Sequence, residues 1–176
     1  MPTVLNGTLI ALVLTAAAYD LRFRRIPNWL NLSGVIAGFG LNTFLSGGHG
    51  LRAASLGFLC ALLVYVPLYL IRGMGAGDVK LMAAVGAIAG PGHWLGIFLA
   101  TAVIGGVVSL LVIALKKRFH QTIWNVAVIG VELLHFRVPS TAEERLDIRH
   151  SEALRLPHGA VIAGGCIVFS LYTAYN

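Results

Sequence analysis

Charge is what this sequence has least of. Seven acidic and 13 basic residues make up 11% of the 176 positions, where a soluble domain carries about a quarter. With 57% hydrophobic residues, one domain of this size cannot hide its apolar surface internally. Lipid is therefore the expected solvent. Cysteine is nearly absent. Cys60 and Cys166 both sit inside apolar runs and no Cys-x-x-Cys pair occurs, which excludes a disulfide framework and a zinc ribbon. The formal net charge of +6 does not mark a nucleic-acid protein, because the Lys and Arg residues fall in connectors between apolar runs, as in cytoplasmic loops. Internal repeats and low-complexity tracts are missing too.

What is present is a series of apolar runs. They are Val4 to Ala18, Trp29 to Leu45, Ala54 to Ile71, Leu81 to Ala89, Trp94 to Leu115 and Gly159 to Tyr175. The expected fold is all-α: a polytopic integral membrane bundle of about six transmembrane helices, forming a single domain over 1–176. The first run has its positive charges after it, unlike a secretory signal peptide, so it is expected to be retained with its N-terminus outside. Ser46 to Gly50 and Gly90-Pro91-Gly92 read as breakers between helices. The run after Asp78 is short for a hydrocarbon core of about 30 Å. Either the bilayer is thin there or Asp78 lies below the surface in a protein-lined cavity. Residues 116–157 form the longest connector, expected to be cytoplasmic. Within it, 122–136 is apolar with Gln121, Asn125, Glu132 and His135 near one face, the pattern of an interfacial helix. On this map every Lys and Arg except Arg52 falls inside, which predicts both termini outside.

The acids sort cleanly. Glu132, Glu143, Glu144, Asp147 and Glu152 belong to the long connector, whereas Asp20 and Asp78 alone abut spans. Ionised acids beside hydrocarbon are costly, so their presence points to function. Two carboxylates brought together share a proton: the ionised member can take a proton from water and the protonated member can polarise a carbonyl. That is the chemistry of aspartic peptide hydrolysis, and it calls for no metal or other cofactor. Structural roles compete with it. Asp20 could pair with Arg22, Arg24 or Arg25, and Asp78 could cap a helix beginning at Val79. Lys80 could tune Asp78 or merely snorkel. Asn28 could hydrogen-bond near the site or cap a helix. Gly73, Gly75 and Gly77 would let backbone or substrate approach closely. His158 could line the site or sit at the interface.

Gly75-Ala76-Gly77-Asp78 with Lys80-Leu81, and Asp20 followed by Arg25-Ile26-Pro27-Asn28, resemble the two signature segments of the prepilin peptidases, the Gly-Xaa-Gly-Asp membrane aspartic peptidases. Pro157-His158-Gly159 is similar in a looser way. The resemblance implies that Asp20 and Asp78 are the catalytic pair, with Gly75, Gly77, Lys80 and Asn28 supporting the site. It also implies cleavage of short basic leaders from type IV pilin-like, membrane-anchored precursors, at the cytoplasmic face of a prokaryotic inner membrane. Larger members carry a cysteine-rich segment in an early loop and methylate the new N-terminus. Here the connector from Tyr19 to Asn28 is too short and has no cysteine. The chain is thus similar to the small peptidases of tight-adherence (Flp) pili or to preflagellin peptidases, and methyltransferase activity is not expected. Expected partners are the precursor and membrane lipids, with no nucleic acid. The alternatives are a small transporter or channel using Asp20 and Asp78 as proton or cation sites, and an assembly subunit without chemistry.

Overall fold

Small residues and two special glycines decide how the apolar runs become helices. The computed structural model describes residues 1–71, 74–115 and 158–175. Among them the secondary structure is entirely helical, in the order α1 (Thr3–Phe23), α2 (Asn28–Leu70), α3 (Ala76–Leu115) and α4 (His158–Tyr175). Three helices, Thr3–Phe23, Asn28–Leu70 and the Ala76–Val112 part of α3, are long and apolar enough to cross a membrane. Arg72, Gly73, the connector 116–157 and the expected interfacial helix 122–136 lie outside the described residues. The chain divides into two compact units, Met1–Gly105 with Pro157–Asn176, and Gly106–Leu156. Of the second, the described part is the C-terminal stretch of α3.

The expected breakers are single residues, not loops. Gly47 (φ 54°, ψ −134°) bends α2 into arms 28–46 and 48–70, and Gly90 (φ 72°, ψ 171°) bends α3 into arms 76–89 and 91–115. These angles are open essentially to glycine alone, so one residue turns the chain without a connector. Beyond Gly47 the chain folds back until Gly50 lies against the Asn42 carbonyl, where a side chain would collide. Among the described residues the six expected apolar runs thus appear as six helical arms, four of them joined in pairs through Gly47 and Gly90. A further correction concerns the first helix. It does not stop at Ala18 but runs to Phe23 and ends where Arg24 takes a left-handed conformation and donates its N–H to the Asp20 carbonyl.

The first arm of α3 is the pillar of this unit. Every residue from Leu81 to Gly90 is buried, as befits a helix apolar all round. Its Ala and Gly residues let neighbours approach closely. Arm 28–46 of α2 runs parallel to it, with Gly34 against Ala84 and Gly38 against the Ala87 backbone. Arm 48–70 runs antiparallel, crossing backbone to backbone at Gly57 and Gly86. The second arm of α3 packs antiparallel to α4 through Gly96 on Phe169 and Gly165 on Thr101. Helix α4 also runs antiparallel to α1, joined at one end by a 2.7 Å bond from Ser170 to Asn6.

The bend at Gly90 has an energetic remedy. Pro91 has no N–H to give the Ala87 carbonyl, and the turn carries the following N–H away from Ile88. The Asn42 side-chain amide donates to both carbonyls, at 3.0 and 3.1 Å, and to Gly38 at 2.9 Å. A buried asparagine on one helix thereby caps the broken end of another.

Candidate active site

Helical spacing sets Asp20 where it is. The buried stripe of α1 includes Leu9, Val13 and Ala16 and continues to Asp20, each three or four residues on and so on one face. Because the helix outlasts the apolar run, its inward face ends in a carboxylate, 9% exposed. Its Oδ2 accepts a 2.7 Å hydrogen bond from the backbone N–H of Gly159, 139 residues away. Gly159 lies in the first turn of α4, where backbone N–H groups have no intrahelical partner. Asp20 thus caps α4 from outside. Among the described residues no ion pair joins Asp20 to Arg22, Arg24 or Arg25. Those three are exposed, and the Arg22 guanidinium lies 5.5 Å from the Phe23 ring centroid.

Asp78 is delivered by the start of α3. The helix begins at Ala76, with the Asp78 and Val79 N–H groups both directed at the Gly75 carbonyl, at 3.1 and 3.3 Å. Asp78 therefore sits inside the first turn and does not hold the capping position that a helix starting at Val79 would give it. Acids are favoured there by the helix dipole. The half-buried carboxylate folds back over Gly75: a Cβ on Gly75 would stand 3.2 Å from Asp78 Oδ2. The carboxylate of Asp20 and the imidazole of His158 both lie within electrostatic reach of Asp78.

The other expected residues are placed as follows. Gly77 packs at 3.5 Å (from an ideal Cβ) on Ile26 of the α1–α2 connector, and its carbonyl accepts a 3.3 Å bond from Asn31 Nδ2. Lys80 and Asn28, both exposed, are joined to each other by a 2.9 Å bond from Lys80 Nζ to Asn28 Oδ1. Asn28 opens α2, with Pro27 in the capping position and no side-chain cap. Its side chain serves the α2–α3 junction instead. The ends of α1, α3 and α4 and the start of α2 thus converge on one locus. Three of its members were not chosen from the sequence. Gly159 acts through its backbone, Asn31 sits among apolar residues of a span, and His158 stood between lining the site and sitting at the interface. Only the Pro157-His158-Gly159 likeness pointed towards two of them.

The family model for the type IV leader peptidase family matches residues 7–110. That match takes in both acids and their α2 and α3 supports but stops before α4. The chain has no significant match among curated proteins or solved structures.

Proposed function

The chain belongs to the type IV leader peptidase family, and from that premise we infer that it is a membrane-embedded aspartic endopeptidase using Asp20 and Asp78. What supports this above all is placement: Asp20 closes the inward face of α1 against the start of α4, and Asp78, 58 positions on, stands in the first turn of α3, where the segment that follows α1 packs on Gly77. A water held between them would lose its proton to the ionised carboxylate as it attacks the scissile carbonyl. The protonated carboxyl would hydrogen-bond the carbonyl oxygen as charge develops there. The proton gained by the first acid then passes to the leaving amine. Gly159 would fix Asp20, and Gly75 would leave Asp78 room to face it.

The substrate kind that goes with this family is a prepilin-like precursor. The finer reading is a small Flp-type enzyme of the inner membrane, acting at the cytoplasmic face. Its six helical arms would span the bilayer with both termini outside. Arg22, Arg24, Arg25 and Lys80 beside the two acids support that sidedness. Helix α1 ends at Phe23 and α2 begins at Asn28, which supports peptidase activity without methyl transfer, since no domain fits between.

The test is cleavage of a reconstituted precursor bearing a basic leader, a Gly cleavage site and an apolar helix. Asp20→Asn and Asp78→Asn should each abolish cleavage while the protein still inserts. Full cleavage by either variant would refute the pair. Proton-coupled flux into proteoliposomes, lost in the same variants, would establish transport instead. Impermeant labelling of cysteines placed at positions 25 and 48 should report opposite faces.

A further inference from the structure

Asn31 is a poor stabiliser by every measure that the structure offers. It is 2% exposed. Its Oδ1 is buried with no hydrogen-bond partner, a state that carries the desolvation cost of an unpaired acceptor. Its one bond, from Nδ2 to the Gly77 carbonyl, is long at 3.3 Å. That carbonyl lies inside α3, where the N–H four residues on already serves it. An apolar side chain of the same size would relieve the unpaired oxygen and leave the helix ladder intact.

What the amide does supply is location. Gly77 immediately precedes Asp78. Two residues flanking Asp78, one before it and one two positions after it, are tied to one short segment: Gly77 to Ile26 and Asn31, and Lys80 to Asn28. That segment begins directly after α1, which carries Asp20. We propose that Asn31 is a positioning residue that fixes Asp78 relative to Asp20 by holding the Gly77 carbonyl. The proposal rests on the reading of the two acids as the catalytic pair. Of the three ties, Asn31 makes the one that comes from a buried polar side chain.

Three variants of the full-length protein, purified in detergent and assayed on the same precursor, test it: Asn31→Leu, Asn31→Asp and, as the control, Asn42→Leu. Asn31→Leu should keep or raise the thermal midpoint yet lose kcat by on the order of a hundredfold, the cost of small misplacements in an active site, with KM little changed. Asn31→Asp should regain kcat relative to the parent as pH falls, because a protonated carboxyl can again donate to Gly77. Asn42→Leu should lower the midpoint and leave kcat of the folded enzyme intact. Asn31→Leu with parental kcat, or with kcat lost only in proportion to folded protein, would overturn the proposal. So would an Asn31→Asp variant that shows no acid recovery. Asp78→Asn, run alongside, separates the two claims. If it is inactive while Asn31→Leu is fully active, the positioning role fails and the catalytic pair stands. If it is active, both fall.

Discussion

Replacing Gly159 by alanine adds one methyl group at the point where α4 meets Asp20. An ideal Cβ there would stand 3.0 Å from both Asp20 Cβ and Oδ2 and 3.2 Å from Cγ. Comfortable contact begins near 3.4–3.5 Å, so the Asp20 side chain would have to retreat by roughly 0.4 Å, and the 2.7 Å bond to the Gly159 N–H would stretch or bend with it. The helix itself should welcome the change, because Ala is favoured over Gly by up to about 1 kcal/mol in a helix, less in a first turn. Loss of one net hydrogen bond costs about 1 kcal/mol. The two effects nearly cancel, and Gly159→Ala should melt within a few degrees of the parent. Catalysis has no such compensation. On the proposed mechanism, displacing the Asp20 carboxylate by a few tenths of an ångström should lower kcat by roughly tenfold, against the hundredfold expected for a full 1 Å. The assay is single-turnover cleavage of the reconstituted precursor beside thermal unfolding of the same sample. Parental kcat with parental stability would refute the reasoning, since Asp20 would then not depend on its seat at α4.

Two other outcomes follow from the packing. Asn42→Ala should destabilise the protein by about 1–3 kcal/mol, because it leaves the Ala87 and Ile88 carbonyls of the Gly90–Pro91 break without their donor; an unchanged unfolding midpoint in detergent would contradict the capping role. Lys80 and Asn28 form an exposed pair, so a double-mutant cycle with Lys80→Met and Asn28→Ala should return a coupling below about 1 kcal/mol, read from unfolding free energies. A larger coupling would mean the pair is part of a buried network.

The helical class and the two singular acids were legible because they are local facts. Apolar runs, and a carboxylate at the edge of each of two, need no knowledge of neighbours. The glycine punctuation at Gly47 and Gly90 was legible as interruption but not as form. A breaker motif does not say whether the chain makes a loop or bends at one residue, and at Gly90 the bend goes with Asn42, 45 residues from Ala87, serving the carbonyls there. The extension of α1 past Ala18 was hidden for a similar reason. Polarity suggested that the helix ended, but Asp20 remains helical, with α4 supplying a partner for its carboxylate. Competing roles for single residues separated only in three dimensions. Among the described residues Asp20 meets a backbone N–H and no arginine, and Lys80 meets Asn28.

The arm that carries Asp78 resolves the difficulty posed by its length. Fourteen residues, 76–89, extend about 21 Å, short of a hydrocarbon core of about 30 Å. A lipid-facing helix of that length would have to thin the bilayer or expose its irregular ends. This arm faces protein instead: Leu81 to Gly90 are buried throughout, with both arms of α2 packed on it through glycine crossings. An arm enclosed in this way would not need its ends to reach a membrane surface. At one end Asn42 satisfies the carbonyls. At the other the half-buried Asp78 needs no more than the Gly75 turn and the ties to the α1–α2 segment. A half-buried carboxylate interacts with a neighbouring charge more strongly than one in bulk water. The short, enclosed arm and the half-buried position of Asp78 are thus one requirement. Lengthening the arm by a full turn would carry Asp78 out towards solvent and undo both.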